Sequence, residues 1–380
     1  MSIIVNLVPP TAGGGLQNAV SLVMGIAGNE VLQRRSVVVS PHGGPVHKAC
    51  DELGLAVVPV RPGLMGRVIF ELGGGARIAR RYDAKTVFTL FGNAPLVSLG
   101  LYRVSGFALS NILTPEVDFW QDLPVVRRNL KELKDTLRLW AARRSDEIIV
   151  ETDFLAERAR TGPFHDRIVH VVKMEPSATV LKSLAERPRN DSTGDLRLLA
   201  LTSPHTNKRL CAMAPIMARL EALRAERGAT QPEFMISIDS ALPHARAVSA
   251  AFEAAGAHLP RFIGKIPPTA VADVLREVDG IVNIARLESF SNNWVEAWAA
   301  GLPLISTDAD WARASCGDAA IYVDPEQPEQ AADRINRTFS SPEVLQALTL
   351  SGEQQLSELG AHGSKIESYA QILMAAVERN

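Results

Sequence analysis

The sequence predicts an α/β protein made of two parallel-sheet units that face each other across a cleft. Three observations predict it. At Ser2–Val8 and again at Leu196–Leu201, an apolar run reads as a buried strand, ends in a glycine or polar turn, and leads into a stretch with helical periodicity. That is how a nucleotide-binding α/β unit opens. Between the two, residues 176–194 shift to polar composition with Pro188, Asn190, Asp191, Ser192 and Gly194, which reads as a linker. Finally, 380 residues is long for one core, so two domains are expected.

Composition narrows the function classes. A formal net charge of −2 leaves no whole-molecule field to draw nucleic acid, so that partner is excluded and any basic surface must be local. Mean hydropathy is +0.05, ordinary for a globular chain. Cys50, Cys211 and Cys316 are scattered, without metal-ligand spacing, and three cysteines give no disulfide framework, so a reducing, cytoplasmic setting is expected. The opening MSIIVNLVPP has no basic n-region, and Pro9 and Pro10 cut its apolar run short, so it reads as a strand and not a signal peptide. No uninterrupted apolar run reaches the roughly 18 residues of a membrane span.

In the first half, the strand Ser2–Val8 meets Thr11, Ala12, Gly13, Gly14 and Gly15, then a helical stretch from Leu16 to Gly25. The glycines do not form GxGxxG, and no acidic residue ends the second strand, Ser36–Ser40, so this turn alone fits close strand–helix packing as well as ligand approach. Val57–Val60 and Thr86–Phe91 are further strands, with Arg67–Arg81 helical between them; Gly92, Asn93, Ala94 and Pro95 close the second. Residues 125–144 place Leu130, Leu133, Leu137 and Trp140 at helical spacing among seven basic residues and only Glu132 and Asp135. Two readings stay open: a helix with its apolar stripe on the core, or one lying on an anionic membrane surface. Glu147–Glu151 and Ile168–Val172 complete the unit as strands.

The second half restarts with Leu196–Leu201, the turn Thr202 to Lys208, and a helix from Arg209 to Arg227. Glu233–Ile238, then Ala245–Ala255, then Pro260 to Lys265 read as strand, helix and strand, with Thr269–Val278 helical. The run from Gly280 to Pro325 is the densest in chemistry. GIVNIA is a buried strand leading to Arg286, Leu287 and Glu288, and a polar turn of Ser289, Phe290, Ser291, Asn292 and Asn293 precedes a helix from Trp294 that carries Glu296. Gly301 ends that helix where a left-handed cap is wanted, and Leu302–Ser306 is the next strand. Ligands of open parallel sheets sit beyond strand carboxyl ends, where Glu288 falls, and a helix start stabilises a diphosphate. Asn293 to Glu296 also fits a capping box, in which Glu296 would only return a hydrogen bond to the helix start. Helices at 330–339, 342–358 and 365–378 finish the chain.

Glu288, seven intervening residues and Glu296, followed by Ala297, Ala300, Gly301, Leu302 and Pro303, resemble the paired-glutamate signature of retaining glycosyltransferases of family 4, whose fold is GT-B. Residues 310–325, DWARASCGDAAIYVDP, are similar to its continuation in bacterial members that make surface polysaccharides. The resemblance implies two Rossmann-like domains, 1–175 on the acceptor side and 195–358 on the donor side, joined by 176–194, with 359–380 packing back on the first. It implies that Glu296 holds the ribose of a UDP- or GDP-sugar, that Glu288 faces the donor sugar, and that the amides of Phe290, Ser291 and Asn292 line the same pocket. Lys208 would neutralise the diphosphate. The arginine common about five residues earlier is replaced by Ser203, so Arg209 or Arg286 would supply the second cation. Lys265 and Ile266 would meet the base, and Gly14 and Gly15 would belong to a glycine loop facing the cleft. A histidine frequent in relatives is Asn93 here, which leaves that position without an implied role.

The expected enzyme is therefore a transferase moving a sugar to a hydroxyl of a glycan or glycolipid acceptor. Lys208 and Glu288 are its catalytic pair, with no metal and no other cofactor expected, since a cation and helix amides aimed at the departing diphosphate can do the work of a metal. A sugar-nucleotide epimerase or phosphorylase on the same fold is one alternative. A non-catalytic partner subunit that binds nucleotide or glycan without transfer is another.

Overall fold

The computed structural model describes residues 2–10, 13–176, 178–186, 196–360 and 363–379. Thr11, Ala12 and the polar part of the linker stretch, 187–195, lie outside the described residues. The chain divides into two compact units, Met1–Met174 with Ala361–Asn380, and Glu175–Gly360.

The first unit holds a parallel sheet of seven strands: β1 (Ser2–Asn6), β2 (Ser36–Pro41), β3 (Val57–Val60), β4 (Ala84–Thr89), β5 (Tyr102–Gly106), β6 (Glu147–Val150) and β7 (Ile168–Val171), in spatial order β3-β2-β1-β4-β5-β6-β7. Chain order reverses between β1 and β4, where Asn6 Nδ2 donates to Thr89 Oγ1 at 3.1 Å. Strands such as β1, β2 and β3 are near-continuous apolar runs because both sheet faces are covered by helices. The C-terminal helix Ser364–Arg379 buries Tyr369, Leu373 and Val377 in this unit, with the Tyr369 ring 5.3 Å from that of Phe88. Strand β5 was not anticipated. Its YRVSG carries Tyr102 and Arg103 and is too short and mixed to announce itself.

Other elements shift from expectation for local reasons. The three glycines Gly13, Gly14 and Gly15 open the helix Gly13–Gly28 and do not form a loop. The expected helix over 67–81 is two helices, Leu64–Ile69 and Gly75–Arg81, broken by a widened turn at Phe70–Gly74 where Gly73 takes φ 128°. Inside the stretch read as linker, Ala178–Glu186 is helical and packs in the second unit, with the Arg276 guanidinium donating to the Ser183 carbonyl. Val180 and Leu184 give that segment a helical period that its polar neighbours mask.

The second unit holds six parallel strands: β8 (Arg197–Ala200), β9 (Glu233–Ile236), β10 (Arg261–Phe262), β11 (Gly280–Asn283), β12 (Leu304–Thr307) and β13 (Ile321–Val323), ordered β10-β9-β8-β11-β12-β13. Its core joins strand residues such as Leu198, Ile236 and Ile305 to helix residues such as Met217, Phe252 and Ile335. The reversal lies between β8 and β11. Connections leaving those two strands diverge, which opens a crevice at their carboxyl ends.

Candidate functional site

The switch point of the second sheet brings together part of the set the sequence singled out, Lys208 and Glu288 with the start of the helix that carries Glu296. After β8 the chain runs through Leu201 to Lys208; after β11 it runs through Ile284 to Glu288 and into the helix Asn292–Ala299. Lys208 Nζ and the Glu288 carboxylate form an ion pair across the switch point. Both side chains are largely buried, 21% and 14% exposed, so the pair is only weakly screened.

Lys208 does not begin a helix, as the sequence suggested. It ends a single 3₁₀ turn, Thr206–Lys208, after which Arg209 adopts left-handed backbone at φ 52°, and the regular helix starts only at Met213. That geometry redirects the chain and turns Lys208 toward Glu288. Arg209 instead pairs with Glu326. Arg286 is half-buried beside the pair in sequence, and its N–H donates to the Asn207 carbonyl at 2.8 Å.

Asn207 is the residue that sequence reasoning passed over. Its buried side chain donates from Nδ2 to the Leu287 carbonyl at 2.9 Å and accepts from the Leu287 N–H at 3.2 Å. One amide thus staples the loop after β8 to the loop after β11, in the residues next to Lys208 and Glu288. An asparagine beside a lysine in a turn carries no signal of this in the sequence, because the partner is 80 residues away. Replacing Asn207 with alanine would strand the N–H and carbonyl of Leu287. We expect a loss of about 2 kcal/mol, read as a lower melting temperature, together with weaker donor binding as the Lys208–Glu288 geometry slackens.

The helix carrying Glu296 is Asn292–Ala299 with Ser291 as its cap residue. Ser291 is buried and makes no side-chain capping bond. The first N–H groups of a helix have no intrahelical acceptor, so this end is a natural anion site. The capping box does not form: Asn293 lies inside the helix, and its Nδ2 donates to the Leu201 carbonyl at 2.8 Å. Asn293 and Glu296, three apart, share a helix face, so that face is drawn to the end of β8. Phe290 packs edge-on against Trp294, centroids 5.2 Å apart, and Trp294 stacks on Trp311, which fixes the turn from below.

Glu296 is 9% exposed, and its Oε2 is buried without a hydrogen-bond partner. Burial alone pushes its carboxyl up to about 7. An acid so placed costs the fold stability unless something donates to it.

The remaining site residues are more dispersed. Ser203 is exposed in the loop after β8. Lys265 and Ile266 follow β10, two strands from β8, or roughly 10 Å across the sheet. Gly14 and Gly15 belong to the first unit. Among the described residues no group of three or more His, Cys, Asp or Glu side chains could hold a metal ion.

Residues 222–341, which include Glu288 and Glu296, match the family described as glycosyl transferases group 1. A search of curated proteins gave no match. Solved structures match along the whole chain. Sucrose-phosphate synthase from Thermosynechococcus elongatus superposes with a TM-score of 0.72 at 13% identity, covering 100% of each chain. Anabaena Alr3699/HepE in complex with UDP-glucose gives 0.68 at 13% identity over 99% of this chain and 100% of its own. WaaG, a glycosyltransferase involved in lipopolysaccharide biosynthesis, gives 0.66 at 16% identity over 97% and 99%. At such identities the likeness establishes fold. The chain thus has the GT-B fold of glycosyltransferases and carries, in its second unit, a glycosyl transferases group 1 region.

Proposed function

We propose that the chain is a retaining, metal-independent glycosyltransferase that moves a sugar from a UDP- or GDP-linked donor to a hydroxyl of a glycan or glycolipid. It would act in the cytoplasm in surface-polysaccharide or lipopolysaccharide synthesis. The observation that carries the reading is Glu296, a buried carboxyl with an unsatisfied oxygen on a helix face tied to the end of β8. A ribose hydroxyl supplies the donor that this oxygen lacks.

The chemistry follows from the neighbours of that acid. Negative charge grows on the departing diphosphate as the glycosyl centre becomes oxocarbenium-like, so the helix end at Ser291 and Asn292 and the ammonium of Lys208 act where charge develops. A bound diphosphate competes with Glu288 for Lys208. When Lys208 turns to phosphate, Glu288 is released to accept hydroxyl hydrogen bonds from the donor sugar. One carboxylate without a facing acid does not support double displacement, so Glu288 positions the sugar and is not a covalent nucleophile. The leaving diphosphate can take the acceptor proton. Lys208, Arg209 or Arg286, and the helix end supply the positive charge that a metal would otherwise bring. The likeness to a structure holding UDP-glucose supports a UDP-sugar as the first donor to try.

The test is a panel of UDP- and GDP-sugars followed by NMR. Slow hydrolysis of an α-linked donor with release of the α-anomer, unchanged by EDTA, is the expected result. Release of the β-anomer would overturn retention, and loss of turnover in EDTA would overturn metal independence. Interconversion of donor sugars without release would point to an epimerase, and a thermal shift with nucleotides but no turnover to a non-catalytic subunit that binds nucleotide without transfer.

A further inference from the structure

Two helices of the first unit turn their apolar stripes outward. In Val125–Ala142, Val126, Leu130, Leu133, Leu137 and Trp140 fall on one face at helical spacing, and each is between 53% and 73% exposed. The inward face carries Asp135, Ala141 and Ala142. Asp135 lies half a turn from the stripe at 100° per residue. Its carboxylate accepts from Asn111 Nδ2 at 2.7 Å, Trp120 Nε1 at 2.9 Å and Arg138 Nη1 at 2.9 Å. That network fixes the roll of the helix. Turning the leucines inward would carry the carboxylate away from its donors and leave the Trp120 and Asn111 groups unpaired.

The second helix repeats the arrangement. Across Leu64–Ile69 and the turn after it, Leu64, Met65, Val68, Ile69 and Leu72 form an i, i+4 stripe exposed by 37% to 77%, while Gly66 and Phe70 make the contact with the core. The two helices are neighbours. Arg67 of one and Arg138 of the other line the same small cavity, and Lys134 is held below the usual lysine range by Arg138, by burial, by Lys131 and by Arg67.

Charge tells what covers this face. Residues 125–144 carry seven Arg and Lys against two acids, and 61–81 carry five Arg against Glu71, in a chain whose net charge is −2. Both acids of the first helix and Glu71 are already paired within the helices, with Arg128, Arg138 and Arg67. A second copy offering the same face would bring like charges together.

We propose that the first unit docks on an anionic lipid surface through this two-helix face, with the leucines and Trp140 in the interface and the flanking Lys and Arg on the headgroups. No helix among the described residues is long and apolar enough to cross a membrane, so the contact is interfacial. The proposal stands on the first unit alone and is independent of the donor-site reading.

Vesicle sedimentation tests it with the full chain. Binding is expected to vesicles of phosphatidylcholine mixed with phosphatidylglycerol, and far less to phosphatidylcholine alone. Each of three paired variants, Leu133→Ser with Leu137→Ser, Met65→Ser with Ile69→Ser, and Lys131→Glu with Lys134→Glu, should lose about tenfold in partitioning. Their melting temperatures should stay within a few degrees of wild type, because the exchanged side chains lie on the exposed side of the two helices. Absence of wild-type binding, equal binding to both vesicle types, or variants that bind like wild type would each overturn the proposal. So would a dimer that the Leu133→Ser, Leu137→Ser variant dissolves, with no vesicle binding.

Discussion

Glu296→Gln should make the protein more stable and a poorer enzyme at once. The carboxyl is buried, with an oxygen that nothing satisfies, and burial lifts it to about 7 from an ordinary 4.5. An acid whose folded value is raised binds its proton more tightly in the fold than in the unfolded chain. Its stability contribution is therefore intact below the unfolded value and is lost as pH rises through the folded one. Between pH 4.5 and 7 the wild type should lose roughly 3 kcal/mol relative to the glutamine variant, and then run parallel to it. At pH 8 the variant is expected to melt about 5 °C higher or more. Its kcat/KM for the sugar nucleotide should fall about tenfold, and that of Glu296→Ala about a hundredfold or more, mostly in donor KM, because the ribose is remote from the reacting bond. A glutamine variant no more stable than wild type at pH 8 would mean that another group satisfies the carboxylate.

The same acid sets a pH dependence on binding. Ribose hydroxyls donate to the ionised form, so donor affinity should be flat above about 7 and weaken about tenfold per pH unit below it. A sugar diphosphate has no group of its own titrating there. Calorimetry across that range, repeated with Glu296→Gln, isolates the effect, since the variant should show no such slope.

Much of this architecture was legible because buried parallel strands are continuous apolar runs, and every strand of the second unit is one or nearly so. Glu288 and Glu296 could be found because their spacing and the glycine after them are local. What could not be read was long-range or conformational. Lys208 faces Glu288 because Arg209 takes a left-handed conformation and Asn207 bonds to Leu287, and neither leaves a mark in the sequence. The helix 125–142 shows a related gap. An amphipathic period gives a stripe but not its direction, and here one carboxylate, Asp135, decides which way the stripe turns. Along 64–72 the stripe is equally periodic, yet it lies beside glycines that break the helix and conceal the pattern.

Removing the ammonium of Lys208 should cost more turnover than any other single change, and a pair of substitutions can tell whether that cost is chemical or structural. Lys208→Met leaves Glu288, only 14% exposed, without its cation, so the variant should lose about 2 kcal/mol and melt several degrees lower. Its kcat should fall about a hundredfold to a thousandfold, since the charge that builds on the diphosphate loses a preorganised partner. Adding Glu288→Gln removes the orphaned charge. The double variant should therefore regain nearly all of the lost melting temperature, because an apolar and a neutral group of similar size replace a partly buried pair with little net cost. It should regain none of the turnover. If activity instead returned with stability, Lys208 and Glu288 would be a structural clasp and the diphosphate contact would have to be assigned elsewhere, with Arg286 the next cation to test. Donor affinity measured alongside separates the two roles further. A lysine that acts mainly on the transition state leaves the donor dissociation constant within roughly tenfold of wild type while kcat collapses, whereas a mere ground-state anchor moves both together.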